Sequence, residues 1–460
     1  MPVHPIDFEI QAHIFSTPEL EKLFDEKKRF ERWLLFEATL AAVQGELGII
    51  PREAAAEISS KARLECIDLH SVAAAYQQSR NSLLPVIKAL RQACANGMGE
   101  YVHYGATTQD VLDTAHILEM KEVLQIIYRD LRSLEDKIMG LVRSHQFTPM
   151  VGRTHGQQAL PITFGLKAAV WLSEIRRHIE RLQAMPPRVL VGQLSGAVGT
   201  MAALGTQARQ VAGETMHRLG LLFSPIARHT ARDSAAEAAC SFAMITATLE
   251  KIANEIFQLG KTEIAELAEP VPGKAMSSST MPHKRNPVLC QRIAVLARHV
   301  RALSGLVVDG MVHEHERDAR CLWSEWLAMP QISVYTGTAL HYLVTVIDGL
   351  EVRKERMRHN LYLHKDMIIS EWLLFRLGAT LGRMQAQEKL HDLISRARTE
   401  NLNLREALAR DEETSRLLTG SDLEYLDKPE LYIGLAVEIV NETLQEIEQK
   451  RRQDPEVLSV

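Results

Sequence analysis

Residues 111–144 read VLDTAHILEMKEVLQIIYRDLRSLEDKIMGLVRS. Within them Ile117, Met120, Leu124, Ile127, Leu131, Leu134, Ile138 and Leu141 recur at alternating steps of three and four. That spacing keeps apolar side chains on one face of an α-helix. The stripe lasts about four heptads, and at ~1.5 Å per residue the segment reaches roughly 50 Å. Three more stripes follow: Leu172, Ile175, Ile179 and Leu182; Phe242, Ile245, Leu249, Ile252, Ile256 and Leu259; and Ile293, Leu296, Val300, Leu303 and Val307. Short intervening loops favour one elongated bundle over separate coiled coils.

The ends of the chain read differently. Residues 1–105 hold shorter helices, such as one from Arg29 to Leu47 stopped by Gly48 and Pro51. Residues 351–460 hold another short-helix set, punctuated by Gly378, Gly382 and Gly420. The expected fold is all-α with three helical domains: an N-terminal domain (1–105), a central long-helix bundle (106–350) and a C-terminal domain (351–460). The central stripes carry more apolar surface than one chain can cover, so the bundle is expected to assemble with other copies of itself.

Composition agrees. Of 460 residues 46% are apolar but only 5% aromatic, which suits aliphatic helix-on-helix packing. A net charge of −5 gives no sign of a nucleic-acid or anionic-membrane surface. Five scattered cysteines without a CxxC fit reduced cytoplasmic thiols better than disulfides or structural zinc. The opening MPVHPIDFEIQ lacks a signal-peptide pattern. No run of about 18 apolar residues offers a membrane span.

Three polar, turn-rich patches interrupt the helical pattern. The first, VHYGATTQDVLDT (102–114), brings His103, Thr107, Thr108 and Gln109 to the entrance of the first long helix. A helix N-terminus suits a carboxylate, although ordinary capping by either threonine explains the same residues. The second, VGRTHGQQALPITFG (151–165), holds His155 between Thr154 and Gly156. An imidazole there could act as a general acid near neutral pH, or be a solvated histidine. The third, SSSTMPHKRNP (277–287), places Lys284 and Asn286 behind a serine run. An ammonium and an amide together can bind a carboxylate; the alternative is a Ser-rich loop before a helix. Two other motifs are set aside. In HEHER (313–317) the histidines are two apart and the HExxH spacing is absent. The glycines of GQLSGAVGT (192–200) do not match GxGxxG.

Together the patches resemble the fumarase/aspartase superfamily, whose signature GSSxMPxKxNP appears here as SSSTMPHKRNP. The resemblance implies an all-α homotetramer in which three subunits contribute to each active site. It implies a cofactor-free anti β-elimination, usually releasing fumarate from a succinyl compound. By register from Lys284, Ser278 corresponds to the family's base, and Ser277 stands where glycine is usual. His155 matches the family's acid. Asn81, Ser82, His103, Thr107, Thr108, Gln109, Thr154, Ser279, Lys284 and Asn286 are then expected to bind a di- or tricarboxylate substrate.

The segments FSTPELEKLFDEKKRFERWLLFEA (15–38) and GAVGT (196–200) are similar to the branch containing adenylosuccinate lyase and 3-carboxy-cis,cis-muconate cycloisomerase. Adenylosuccinate lyases carry Arg-Tyr where this chain has Ile14 and Phe15, His-Asp where it has Asn81 and Ser82, and an arginine where it has Trp326. RNSLLPVIKAL (80–90) and HERDARCLWSEW (315–326) resemble the cycloisomerase, yet many of those have tryptophan in place of His155. Relatives also carry Thr-Gln-Arg-Asp where this chain has Thr230, Ala231, Arg232 and Asp233. The leading expectation is a cytoplasmic lyase acting on a substituted succinate. A cycloisomerase forming a lactone is the alternative. An adenylosuccinate lyase or a non-catalytic tetramer is a weaker one.

Overall fold

The computed structural model describes residues 4–11, 13–271, 281, 283–364 and 367–459. Ser277, Ser278 and Ser279 therefore lie outside the described residues. The described residues are mainly helical, and the expected stripes are the core. The first becomes the helix Thr108–His145, 38 residues long, with Met120, Leu124, Ile127, Leu131, Leu134 and Ile138 buried. The others become Phe164–Gln183, Asp233–Leu259 and Val288–Asp309. The 108–145 helix packs on the 164–183 helix, and the 233–259 and 288–309 helices pack on each other.

A fifth long helix, Ala319–Asp348, joins them, packing on 108–145, 233–259 and 288–309. Its periodicity is masked in the sequence. Pro330 lies inside it and deprives the Trp326 carbonyl of its helical donor. The run Thr336-Gly337-Thr338-Ala339 buries small groups where a stripe would show large ones. Gly337 has a packing reason: a Cβ there would lie 2.7 Å from Leu20 Cδ1, so glycine lets the short helix Pro18–Leu23 approach closely.

Near the N-terminus the helix Glu26–Glu46 ends before Gly48, whose φ of +69° glycine adopts at no steric cost. It packs against the 108–145 helix. One hydrophobic core runs continuously from Leu20 through the bundle to Met357 and takes in Val440, Leu444 and Ile447 of the last helix, Ala436–Arg451. A second core gathers Leu361 to Leu426 with Val151. The chain end is strapped to the bundle. Asp454 accepts hydrogen bonds from Arg176 and Gln183, and Gln125 bonds both the N–H and the carbonyl of Leu458.

Strands are few and local. Pro149–Thr154 and Gln157–Thr163 form an antiparallel hairpin. Val191–Gly192 pairs in parallel with Leu222–Phe223, and Leu267–Ala268 pairs antiparallel with Glu351–Val352. The last pairing anchors the segment that leads into the SSSTMPHKRNP stretch. Among the described residues no helix is long and apolar enough to cross a membrane.

Candidate active site

The 108–145 helix starts with Thr107 as its N-cap. Thr107 donates its N–H to Asp110 (3.0 Å), and Asp110 is fully buried. The same carboxylate accepts the N–H groups of Ser195 (2.9 Å) and Gly196 (3.0 Å) and lies 3.1 Å from His229 Nε2. One side chain thus caps the helix and pins the GQLSGAVGT turn against it. Gly196 and Gly199 take φ of +72° and +84° there, so these glycines serve a turn around Asp110.

Hydroxyl and amide groups converge outside that pin. Asn81 Nδ2 donates to Thr108 Oγ1 (3.2 Å), while Asn81 Oδ1 accepts the N–H groups of Leu83 and Leu84 (both 2.9 Å). Its side chain therefore ties the 79–84 turn to the long helix. Ser82 is half-buried beside it and accepts the Tyr76 hydroxyl on its carbonyl (2.5 Å). From the other side Arg317 donates to Thr107 Oγ1 (3.2 Å) and to the Ala197 carbonyl (2.7 Å). Thr107, Thr108, Asn81 and Arg317 thus form one donor-rich patch at a helix N-terminus, an arrangement suited to a carboxylate.

Two residues expected on this patch are placed differently. Gln109 is 2% exposed, and its amide donates to Asp113 (3.1 Å) and the His229 carbonyl (3.0 Å). It faces the interior because it sits one residue past Thr108, on the packed side of the helix. His103, with φ of +65°, turns its Nδ1 to Glu37 (2.7 Å). Burial opposes a charge on that ring, but Glu37 and Asp110 outweigh it and raise the pKa above its ordinary value. His103 therefore holds its proton more tightly than a free imidazole.

His155 occupies the tip of the 149–163 hairpin. Thr154 and Gln157 are paired across a two-residue loop, and both loop residues have positive φ, +51° at His155 and +77° at Gly156. This is the type I′ signature, and histidine and glycine are among the residues that tolerate it. Below the tip, Arg153 makes two hydrogen bonds to the buried Glu266 (2.6 and 2.9 Å), which also accepts from Asn360 (2.8 Å). The tip itself is exposed, Thr154 and His155 included. Among the described residues the His155 side chain has no hydrogen-bond partner.

In the third patch Lys284 is exposed and Asn286 half-buried. The helix that follows is held by Glu269, whose carboxylate accepts the N–H groups of Leu289 and Cys290 (both 2.9 Å). Arg285 pairs with Glu351 (2.7 Å). The stretch is thus gripped at its C-terminal end by Glu269 and Glu351.

Behind the first patch lies a buried ionic cluster. Arg232 donates to Asp113 (2.8 Å) and through Nε to Glu325 (2.9 Å), and Gln193 also donates to Asp113 (2.6 Å). Burial alone would discharge these groups. The opposite charges win, so Arg232 is held above its ordinary range and Glu325 below its own. Sequence reasoning missed this cluster, Arg317 and Asp110. Only Asp110 had a local signal, the Thr-x-x-Asp of TTQD, which reads as a capping box.

A cleft of about 530 Å³ adjoins Asn81 and Ser82, with Phe24, Glu26, Arg29, Phe30, Trp33, Tyr76, Arg80 and Trp326 around it. The volume is in the range of about 300–1,000 Å³ usual for small-molecule sites.

Comparison with known proteins adds relatives to this geometry. A family model described as a lyase matches residues 16–302, and one described as adenylosuccinate lyase C-terminus matches residues 366–443. An N-acetyl-S-(2-succino)cysteine lyase of Dickeya dadantii is 38% identical over 445 residues, 97% of this chain and 98% of that protein. An adenylosuccinate lyase of Pyrococcus horikoshii is 39% identical over 457 residues, 98% of this chain and 99% of that protein. Among solved structures, a 3-carboxy-cis,cis-muconate lactonizing enzyme from Pseudomonas putida superposes with a TM-score of 0.88 at 35% identity, covering 95% of this chain and 98% of that one.

Proposed function

The chain belongs to the fumarase/aspartase superfamily of lyases, and from that premise we propose that it carries out an anti β-elimination on a substituted succinate, releasing fumarate and an amine, thiol or alcohol. The observation that carries this reading is the donor patch of Thr107, Thr108, Asn81 and Arg317 beside a cleft large enough for a leaving group.

The chemistry requires such a patch. Removing a proton from the carbon next to a carboxylate builds a second negative charge on that carboxylate. Hydroxyl, amide and ammonium donors aimed at it lower the barrier. In this reading Thr107 and Thr108 donate from one segment, and Lys284 and Asn286 from another. Ser278 takes the proton, with Ser279 beside it. A serine hydroxyl is a weak base and depends on neighbouring cations and exclusion of water. His155, oriented by the Thr154 turn, protonates the departing atom as its bond to carbon breaks. Asn81 and Ser82 border the leaving-group side.

Among the described residues of a single protomer the exposed His155 side chain has no hydrogen-bond partner, which supports a site completed by other subunits. Val170, Met244, Val295, Leu306, Trp323 and Leu327 are exposed along the bundle helices, where other copies of the chain would cover them. We therefore expect a homotetramer, and light scattering on the purified protein should give four times the mass of one chain. An active monomer would defeat the shared site.

The reading itself is tested by absorbance assay for fumarate. The wild type should release it from a succinyl thioether or succinyl amine, and Ser278→Ala should not, while substrate binding survives. A second reading, lactonisation by an internal carboxylate, comes from the similarity to the lactonizing enzyme. Product formation from a carboxymuconate without fumarate would select it.

A further inference from the structure

We propose that the 530 Å³ cleft recognises a free α-amino acid: Glu26 takes its ammonium, Arg80 takes its carboxylate, and the amino acid's side-chain sulfur or nitrogen is the atom expelled. This rests on the elimination reading above and names its leaving group.

The cleft is continuous with the carboxylate patch, because Asn81 lines it and also bonds Thr108. A succinate held at Thr107 and Thr108 therefore directs its substituent past Asn81 into this space. Three charged residues line the cleft: Glu26, Arg29 and Arg80. Arg29 is already committed, donating to the buried Glu119 through Nε (3.1 Å) and Nη2 (3.4 Å). Glu26 and Arg80 differ. Both are exposed, and among the described residues neither side chain has a hydrogen bond or an ion pair. Glu26 is nonetheless electrostatically present at the wall. The Tyr76 hydroxyl is pushed up to about 12, first by burial and then by the charge of Glu26.

Beside Ser79, Asn81 and Ser82, the uncharged lining is aromatic: Phe24, Phe30, Trp33, Tyr76 and Trp326. Ring faces cover methylene groups and attract an ammonium. A ligand with one charge of each sign thus meets one carboxylate, one guanidinium and an aromatic floor. Other leaving groups fit less well. A phosphate dianion would find one uncommitted cation and a repelling carboxylate. An uncharged alkyl group would cover Glu26 and Arg80 without pairing them. An N-acylated amino acid satisfies Arg80 but presents an amide to Glu26. The elimination balances without a co-reactant: the C–S or C–N bond breaks, the departing atom gains a proton, the carbon framework leaves as fumarate, and no oxidation state requires an external oxidant.

The test compares the free and Nα-acetyl forms of S-(2-succino)cysteine, and of lysine carrying the succinyl group on its side-chain nitrogen. Fumarate release gives kcat/KM for wild type, Glu26→Gln and Arg80→Ala. A charge-assisted hydrogen bond discriminates by roughly 10–100-fold, so the wild type should prefer the free forms by that factor. Glu26→Gln should bring the ratio toward one. Arg80→Ala should lower kcat/KM for free and acetylated forms alike, since both keep the carboxylate. Equal use of both forms, or a preference that Glu26→Gln leaves in place, overturns this assignment while the lyase reading stands. No fumarate from any of the four compounds also overturns this assignment, and the lyase reading falls with it only if other succinyl amines, thioethers and ethers release none.

Discussion

Replacing His155 with asparagine is expected to lower turnover of a poor-leaving-group substrate by about 10²–10⁴-fold while leaving thermal stability unmoved. The choice of asparagine comes from the backbone. His155 sits at φ +51° in a two-residue hairpin loop, and asparagine accepts that conformation as readily as histidine does. The side chain is exposed and has no hydrogen-bond partner among the described residues, so its loss removes no folding contact. An expelled amine or alkoxide needs a proton as its bond breaks. The loss should therefore be largest for amines and smallest for substrates that expel a stable anion.

His155→Trp makes the companion measurement, read alongside asparagine because a bulky ring at positive φ adds strain of its own. An internal carboxylate is a good leaving group that needs little protonation. Lactonisation of a carboxymuconate that survives the tryptophan substitution would favour the cycloisomerase reading. If His155→Asn retains most of its activity on an amine substrate, His155 is not the acid.

The second large effect concerns folding. Arg232→Met should destabilise the protein by about 3–5 kcal/mol, a large share of the ~5–15 kcal/mol that holds a typical domain together. Methionine fills space similar to the arginine stem but removes the cation that pairs both Asp113 and Glu325, leaving His116, 3.9 Å from Glu325, as an ionisable neighbour. Chemical denaturation of the two proteins measures the difference.

The pH dependence has a defined sign. The folded pKa of Glu325 lies below 4.5 in the wild type. Its pairing therefore contributes stability above its unfolded pKa, and that contribution is lost as pH falls through the folded value. Without Arg232, burial dominates and protonating Glu325 relieves the variant. The gap between the two proteins should accordingly begin to narrow above pH 4.5, where the variant's Glu325 takes up its proton, and go on narrowing below 4.5 as the wild type loses its pairing. Adding Glu325→Gln and Asp113→Asn to Arg232→Met should recover part of the loss, because no uncompensated charge then remains. A gap that is small at neutral pH would mean that water reaches the cluster.

The sequence by itself determined the bundle. Periodicity of three and four is a local property, and four of the five helices of the central bundle follow from it because each hides a continuous aliphatic stripe. The fifth was not legible, since the small run Thr336-Gly337-Thr338-Ala339 breaks the stripe of large residues on its buried face and Pro330 interrupts the helical pattern. The SSSTMPHKRNP signature and the three patches were likewise readable, because chemistry-bearing residues stand out against an aliphatic background.

Tertiary structure decided how the polar groups are partnered. Asp110 holds Ser195 and Gly196, Arg232 holds Asp113 and Glu325, and Arg317 reaches Thr107. These partners are separated by roughly 80 to 210 positions, and no periodicity links them. Gln109 looked like a site residue for the same reason that Thr108 did, its place in a polar stretch. One step of about 100° around the helix turned it inward. His155 seemed to lie in an ordinary turn until pairing of Thr154 with Gln157 lifted it onto a hairpin tip. Hydrophobic pattern states which face of a helix is buried. Which polar group meets which depends on the angles and offsets at which the helices pack, and those exist only once the bundle has formed.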